Sequence, residues 1–164
     1  MSSPVSSILE TRFAAWADEA ACAETARTVA RRPALRDAFV ELLGPLGAGK
    51  TTFARHLLHG LGVHGSIKSP TYTLMEPYRA GPAEDGFEIA HCDFYRFDDP
   101  GEWEDAGFRD VFASPGLKLV EWPEKAAGLL PPCDLRVSIT PREGSDARSA
   151  RFDALSETGL ELLP

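Results

Sequence analysis

Ala38-Phe39-Val40-Glu41-Leu42-Leu43-Gly44-Pro45-Leu46-Gly47-Ala48-Gly49-Lys50-Thr51 is the stretch that decides the fold. Its first six residues form a short apolar run between Asp37 and Gly44, the pattern of a parallel strand buried on both faces. Its last eight satisfy G-x-x-x-x-G-K-[ST]. Beyond them Phe53, Ala54, Leu57, Leu58 and Leu61 recur at helical spacing, and Gly60 and Gly62 supply a stop. Strand, glycine turn and helix thus make one βα unit. Glycines let the backbone curl around phosphate oxygens and present successive N–H groups at a helix N-terminus, where the dipole already favours anions. Lys50 adds a positive charge for the outer phosphates, and Thr51 offers a hydroxyl to the magnesium ion that accompanies them. Pro45 has no N–H to give, yet at the second loop position it only fixes φ. The bland alternative is a flexible glycine turn with an exposed lysine.

Working outward, Asp18 to Arg32 reads as a helix, with acids at its start and bases at its end. Strands are expected over Thr71–Tyr78, Phe87–Tyr95, Leu117–Trp122, Leu135–Thr140 and Arg151–Ala154. Pro/Gly punctuation and acidic connectors such as DDPGEWED lie between them. Few helices and many strands follow the first βα unit. The expected fold is therefore α/β, a P-loop NTPase-like three-layer arrangement on a mixed, mostly parallel central sheet. One domain over residues 1–164 suits the length, with the serine-rich residues 1–11 loose and 155–164 a tail without an assigned element.

Charge is informative by position. Between Glu84 and Asp110 ten acids face two bases, whereas elsewhere fifteen acids face fifteen bases, so the whole net charge of -8 sits in one segment. An acidic chain is a poor polyanion binder, because nucleic-acid affinity comes largely from Lys and Arg displacing counterions. No strong direct binding of RNA, tRNA included, or of DNA is expected from such a chain. At 43% apolar and 26% charged residues a folded globular protein is expected. No apolar run is long enough to span a bilayer, and the three cysteines, Cys22, Cys92 and Cys133, show no pairing or metal-binding spacing; a cytoplasmic location fits best.

A phosphate loop that hydrolyses its nucleotide needs an acid for the metal and a group that positions the attacking water. Asp93 and Glu121 both stand at strand ends, where ligands gather in open α/β sheets, so either could face Thr51. Lys68-Ser69-Pro70-Thr71-Tyr72-Thr73 occupies the place of a segment that senses the terminal phosphate, or is a plain turn entering a strand. His56, His59 and His91 read as packed or solvated. A small-molecule kinase and a nucleotide-gated binding module with negligible hydrolysis remain open beside an ATPase.

Taken together, GPLGAGKTTFAR, VHGSIKSPTYTLMEPY, HCDFYR and LVEWPE closely resemble the TsaE family, once called YjeE, over about Asp18 to Arg148. The resemblance implies a small ATPase of tRNA threonylcarbamoyladenosine biosynthesis that works with a threonylcarbamoyl transferase and its catalytically silent homologue. It implies that Gly44 and Gly47, Ala48, Gly49, Lys50, Thr51 and Thr52 hold ATP, with Trp122 near the nucleotide. Thr51 and Glu121 would hold Mg2+; Asp93, Lys50 and Thr71 would be the catalytic set, Asp93 serving hydrolysis and Ser69-Pro70-Thr71 sensing the nucleotide. Three positions depart from the family pattern: Pro45, where an acid is usual, and Cys22 and Ala26, where Thr and Gly are usual.

Overall fold

The computed structural model describes residues 7–70 and 72–164. Seven strands form one sheet in the order β1-β7-β6-β2-β5-β4-β3: β1 (Glu10–Trp16), β2 (Phe39–Leu43), β3 (Met75–Ala80), β4 (Phe87–Asp93), β5 (Leu117–Glu121), β6 (Leu135–Pro141) and β7 (Arg148–Ala154). The central strands β6, β2, β5 and β4 run parallel, and β1, β7 and β3 pair antiparallel at the margins. The parallel centre is covered on both faces, so β2 and β5 are buried almost throughout, Glu41 and Lys118 included.

On one face α1 (Glu19–Ala30) and α2 (Lys50–Gly60) bury Ala26, Val29, Phe53, Leu57 and Leu58 against Val40, Leu42, Leu119, Val137 and Phe152. Trp16 stacks on Phe53 with ring centroids 5.6 Å apart. On the other face α3 (Pro100–Asp105) and α4 (Phe108–Ala113) bury Trp103 and Phe108 with Phe39, Phe94, Cys92 and Val120. Helices on both faces of the sheet give the three expected layers.

Four sequence expectations are corrected. The loose N-terminus does not hold where it is described: residues 1–6 lie outside the described residues, but Leu9 donates its N–H to Ala154 at 2.8 Å and Glu10–Trp16 pairs along the whole of β7. That strand is held by tertiary pairing, so a local reading passes over it. The 155–164 tail contains α5 (Glu157–Leu162), capped by Ser156, with Leu162 and Leu163 buried. The acidic connector DDPGEWED is largely helical, because Asp99 caps Gly101 at 2.9 Å and Trp103 anchors the turn in the second core. Finally, the strand expected from Thr71 begins at Met75, after a turn closed by Leu74 N–H on the Pro70 carbonyl at 2.9 Å.

Candidate functional site

β2 ends against the carboxyl edge of the sheet, and the chain must turn at once into α2. Gly44 makes this possible: its φ is +151°, and a Cβ there would lie 2.5 Å from the Ile139 carbonyl oxygen. Gly44 therefore packs on β6 and does not line the cavity beyond it. Ala48 N–H closes a turn on the Pro45 carbonyl at 3.0 Å, and Gly49, in the left-handed region, leads into Lys50 at the first turn of α2. A cavity of about 400 Å³ opens over this turn, lined by Gly47 to Thr52, Ser69, Asp93, Tyr95, Glu121 and Trp122. A neighbouring cavity of about 300 Å³ shares Ala48, Gly49 and Thr52 and continues to Trp16, Asp18, Cys22 and Arg148.

Lys50 is 5% exposed, and its ammonium lies over the Trp122 ring, 3.5 Å from the centroid, while donating to the Gly44 carbonyl. Burial lowers its pKa from the ordinary lysine value, against the pull of Glu121, Glu124 and Asp93. Among the described residues no carboxylate lies within ion-pair distance of it. Trp122 has φ 56° and ψ 48°, a left-handed conformation unusual for a bulky residue, and it packs on Tyr95 with ring centroids 4.9 Å apart.

The parallel register sets Asp93 directly beside Glu121 at the ends of β4 and β5. Their environments differ. Glu121 is 2% exposed and accepts from two sides: the Thr51 hydroxyl donates to Oε1 at 2.7 Å, and His91 Nε2–H donates to Oε2 at 2.7 Å. Asp93 accepts from the Ser69 hydroxyl on Oδ2 at 2.7 Å and from the Tyr95 N–H on Oδ1 at 2.9 Å. The choice between the two acids thus falls to Glu121 as the partner of Thr51, with Asp93 facing Ser69.

Asp93, Lys50, Gly47, Ala48, Gly49, Thr51, Thr52, Glu121 and Trp122 are brought together around one cavity. Thr71 falls outside the described residues. Of the departing positions, Cys22 lines the neighbouring cavity and Ala26 is buried in the core. Burial, with Glu19 nearby, pushes the Cys22 thiol up to about 12, so it presents a neutral S–H there.

Sequence reading missed His91. It is fully buried on the Glu121 side of β4, and its Nδ1 has no hydrogen-bond partner among the described residues. The signal available was its position two residues before Asp93, which on a strand places both side chains on one face. His91 fixes the carboxylate of Glu121 so that Oε1 stays turned to Thr51.

Two hard oxygens 2.7 Å apart at the N-terminus of α2 come near the roughly 2.9 Å edge of a magnesium octahedron with ligands at about 2.05 Å. Among the described residues no cluster of three His, Cys, Asp or Glu could hold a metal unaided. Any ion here would take its other ligands from water and from a bound anion.

Strand, glycine turn and helix, with a carboxylate across from the helix's second residue, define a protein of the P-loop NTPase-like class. The family model for threonylcarbamoyl adenosine biosynthesis protein TsaE matches residues 16–150. The chain is 44% identical over 124 residues to the tRNA threonylcarbamoyladenosine biosynthesis protein TsaE of Haemophilus influenzae, covering 76% of this chain and 75% of that one. It is 39% identical to the Bacillus subtilis protein of the same name, over 70% and 68% of the two chains. The crystal structure of Bacillus subtilis YdiB superposes with a TM-score of 0.73 at 26% identity, covering 93% of this chain and 91% of that one. The chain belongs to the TsaE family.

Proposed function

We propose that this chain, a TsaE-family component of tRNA threonylcarbamoyladenosine biosynthesis, binds ATP with Mg2+ at the 44–52 turn and hydrolyses it to ADP and phosphate. That activity supports turnover of a cytoplasmic threonylcarbamoyl transferase and its silent homologue. The observation that carries the reading is the Thr51–Glu121 contact of 2.7 Å, placed in one cavity with Lys50 and Asp93.

The loop amides of Gly47 to Thr52 bind the phosphates, aided by the α2 dipole. Lys50 leaves the Gly44 carbonyl and the Trp122 face for the outer phosphates, a charge-assisted exchange that its lack of a carboxylate partner favours. Thr51 and Glu121 would hold Mg2+, whose charge would offset that gathering on the β- and γ-phosphate oxygens. The nucleoside extends into the neighbouring cavity beside Trp16, Asp18 and Cys22.

Asp93, an acceptor held from two sides, orients the water whose oxygen bonds to the γ-phosphorus as the bond to the β–γ bridging oxygen breaks. The Ser69 hydroxyl ties that carboxylate to the chain entering β3, so nucleotide occupancy and the placing of Ser69 are linked. Among the described residues no helix is long and apolar enough to cross a membrane.

The test is ATP turnover with and without the transferase pair. Slow basal hydrolysis that rises with the partners is expected. A phosphorylated small molecule as product would make the chain a kinase, and no hydrolysis under any condition would leave a gated binding module.

A further inference from the structure

The centre of the phosphate-binding turn has a structural weakness. Rotating the 48–49 peptide plane changes only ψ of Ala48 and φ of Gly49, and glycine at 49, already at φ +107°, makes that rotation cheap. The plane itself is rigid and trans, so the Ala48 carbonyl and the Gly49 N–H point to opposite sides. If the plane turns over, the cavity meets a carbonyl oxygen, which repels phosphate, in place of an N–H that binds it.

A residue from the far end of the chain holds this plane. Arg148, the first residue of β7, donates from Nε to the Ala48 carbonyl at 2.9 Å. Its Nη1 donates to the carbonyl of Ala147 at 3.1 Å, which fixes the guanidinium, and its backbone is held in register between Trp16 of β1 and Pro141 of β6. Among the described residues no carboxylate pairs with Arg148, in contrast to Arg136 with Glu41 and Arg151 with Asp153 on the same strands. Its guanidinium lines the cavity beside the turn together with Asp18, Glu19 and Asp146, and among the described residues it makes no close ion pair there.

We propose that Arg148 is a positioning residue for the phosphate site: it locks the 48–49 peptide so that the Gly49 N–H is permanently presented to a nucleotide's phosphates. The lock ties the turn to the β6–β7 hairpin through two residues 100 apart in sequence. It is prepaid in the unliganded fold, which lowers the ordering cost of binding. The inference rests on the ATP reading of the same site.

Three variants of the full chain decide it, using Mg-ATP and inorganic tripolyphosphate as probes in calorimetry and the backbone amide spectrum of labelled protein. A charge-assisted hydrogen bond is worth enough that Arg148→Gln should weaken both probes roughly ten- to hundredfold. Its Gly49 amide signal should broaden or double while the signals of the β4–β5 core stay in place, a local signature that general loosening would not give. Arg148→Lys, with one flexible donor, should recover part of the lost affinity and sharpen the Gly49 signal. Wild-type affinity with a single sharp Gly49 signal in Arg148→Gln overturns the lock. Should the glutamine variant not fold, Arg148→Met takes its place, and wild-type affinity for tripolyphosphate there is equally fatal. Failure of the unmodified protein to bind either probe would instead overturn the ATP reading on which the lock rests.

Discussion

Replacing Glu121 by Gln removes one charge from the most enclosed acid of the site without changing its shape. In the native chain Glu121 accepts from Thr51 and from His91, each at 2.7 Å. Hydrogen bonds to a charged acceptor contribute about 1.5 to 3 kcal/mol and neutral ones about 0.5 to 1.5. The amide oxygen can keep one of the two contacts, and the amide nitrogen can serve the other only if Thr51 or His91 turns to accept. The larger loss falls on the metal: a neutral amide oxygen replaces a carboxylate as a ligand of a hard cation. A deficit of about 1.4 to 2.8 kcal/mol raises the half-saturating Mg2+ concentration roughly ten- to hundredfold. The assay is a magnesium titration at fixed ATP, read by the fluorescence of Trp122, which lies against Lys50. Nucleotide binding in the presence of a chelator should be nearly unaltered. Magnesium titrations that coincide for Glu121→Gln and the native protein would refute the metal role.

Other outcomes follow from the same geometry. Asp93→Asn should retain ATP affinity within a few-fold while losing most hydrolysis; equal turnover moves the water-orienting role elsewhere. Leu162→Ala, a fully buried truncation in α5, should cost about 2 to 5 kcal/mol in denaturant unfolding, and a change under 1 kcal/mol would mean that the C-terminal helix contributes little. Asp98, Glu104, Asp105 and Asp110 are exposed, and if they meet a basic patch on the partners of the proposed function, partner affinity should fall steeply as salt rises; a flat salt response removes that face from the interface.

The 44–52 turn is legible because its needs are local: a strand, a glycine that permits close approach, and a helix start all lie within some fifteen consecutive residues. Asp93 and Glu121 are legible as a pair at strand ends, but which of them meets Thr51 follows from the residues only through the register of β4 against β5; the family resemblance alone points to Glu121 beforehand. His91 escaped notice for the same reason, its partner being thirty residues away. β1 and α5 were missed because neither has strong local signals, and each is stabilised by burying residues such as Trp16 and Leu162 in the core of α1, α2 and β7. The helical character of Pro100–Asp105 was hidden by its acids, which face solvent while Trp103 alone carries the packing.

Calorimetry of Mg-ATP binding to folded protein, set beside Lys50→Ala, tests the central claim most directly. A saturable binding heat in the native chain and a ten- to hundredfold loss in the variant, about 1.5 to 3 kcal/mol for one charge-assisted contact, are expected. No binding heat in well-folded native protein, or equal affinity in the two, would contradict the placement of a triphosphate against the 44–52 turn.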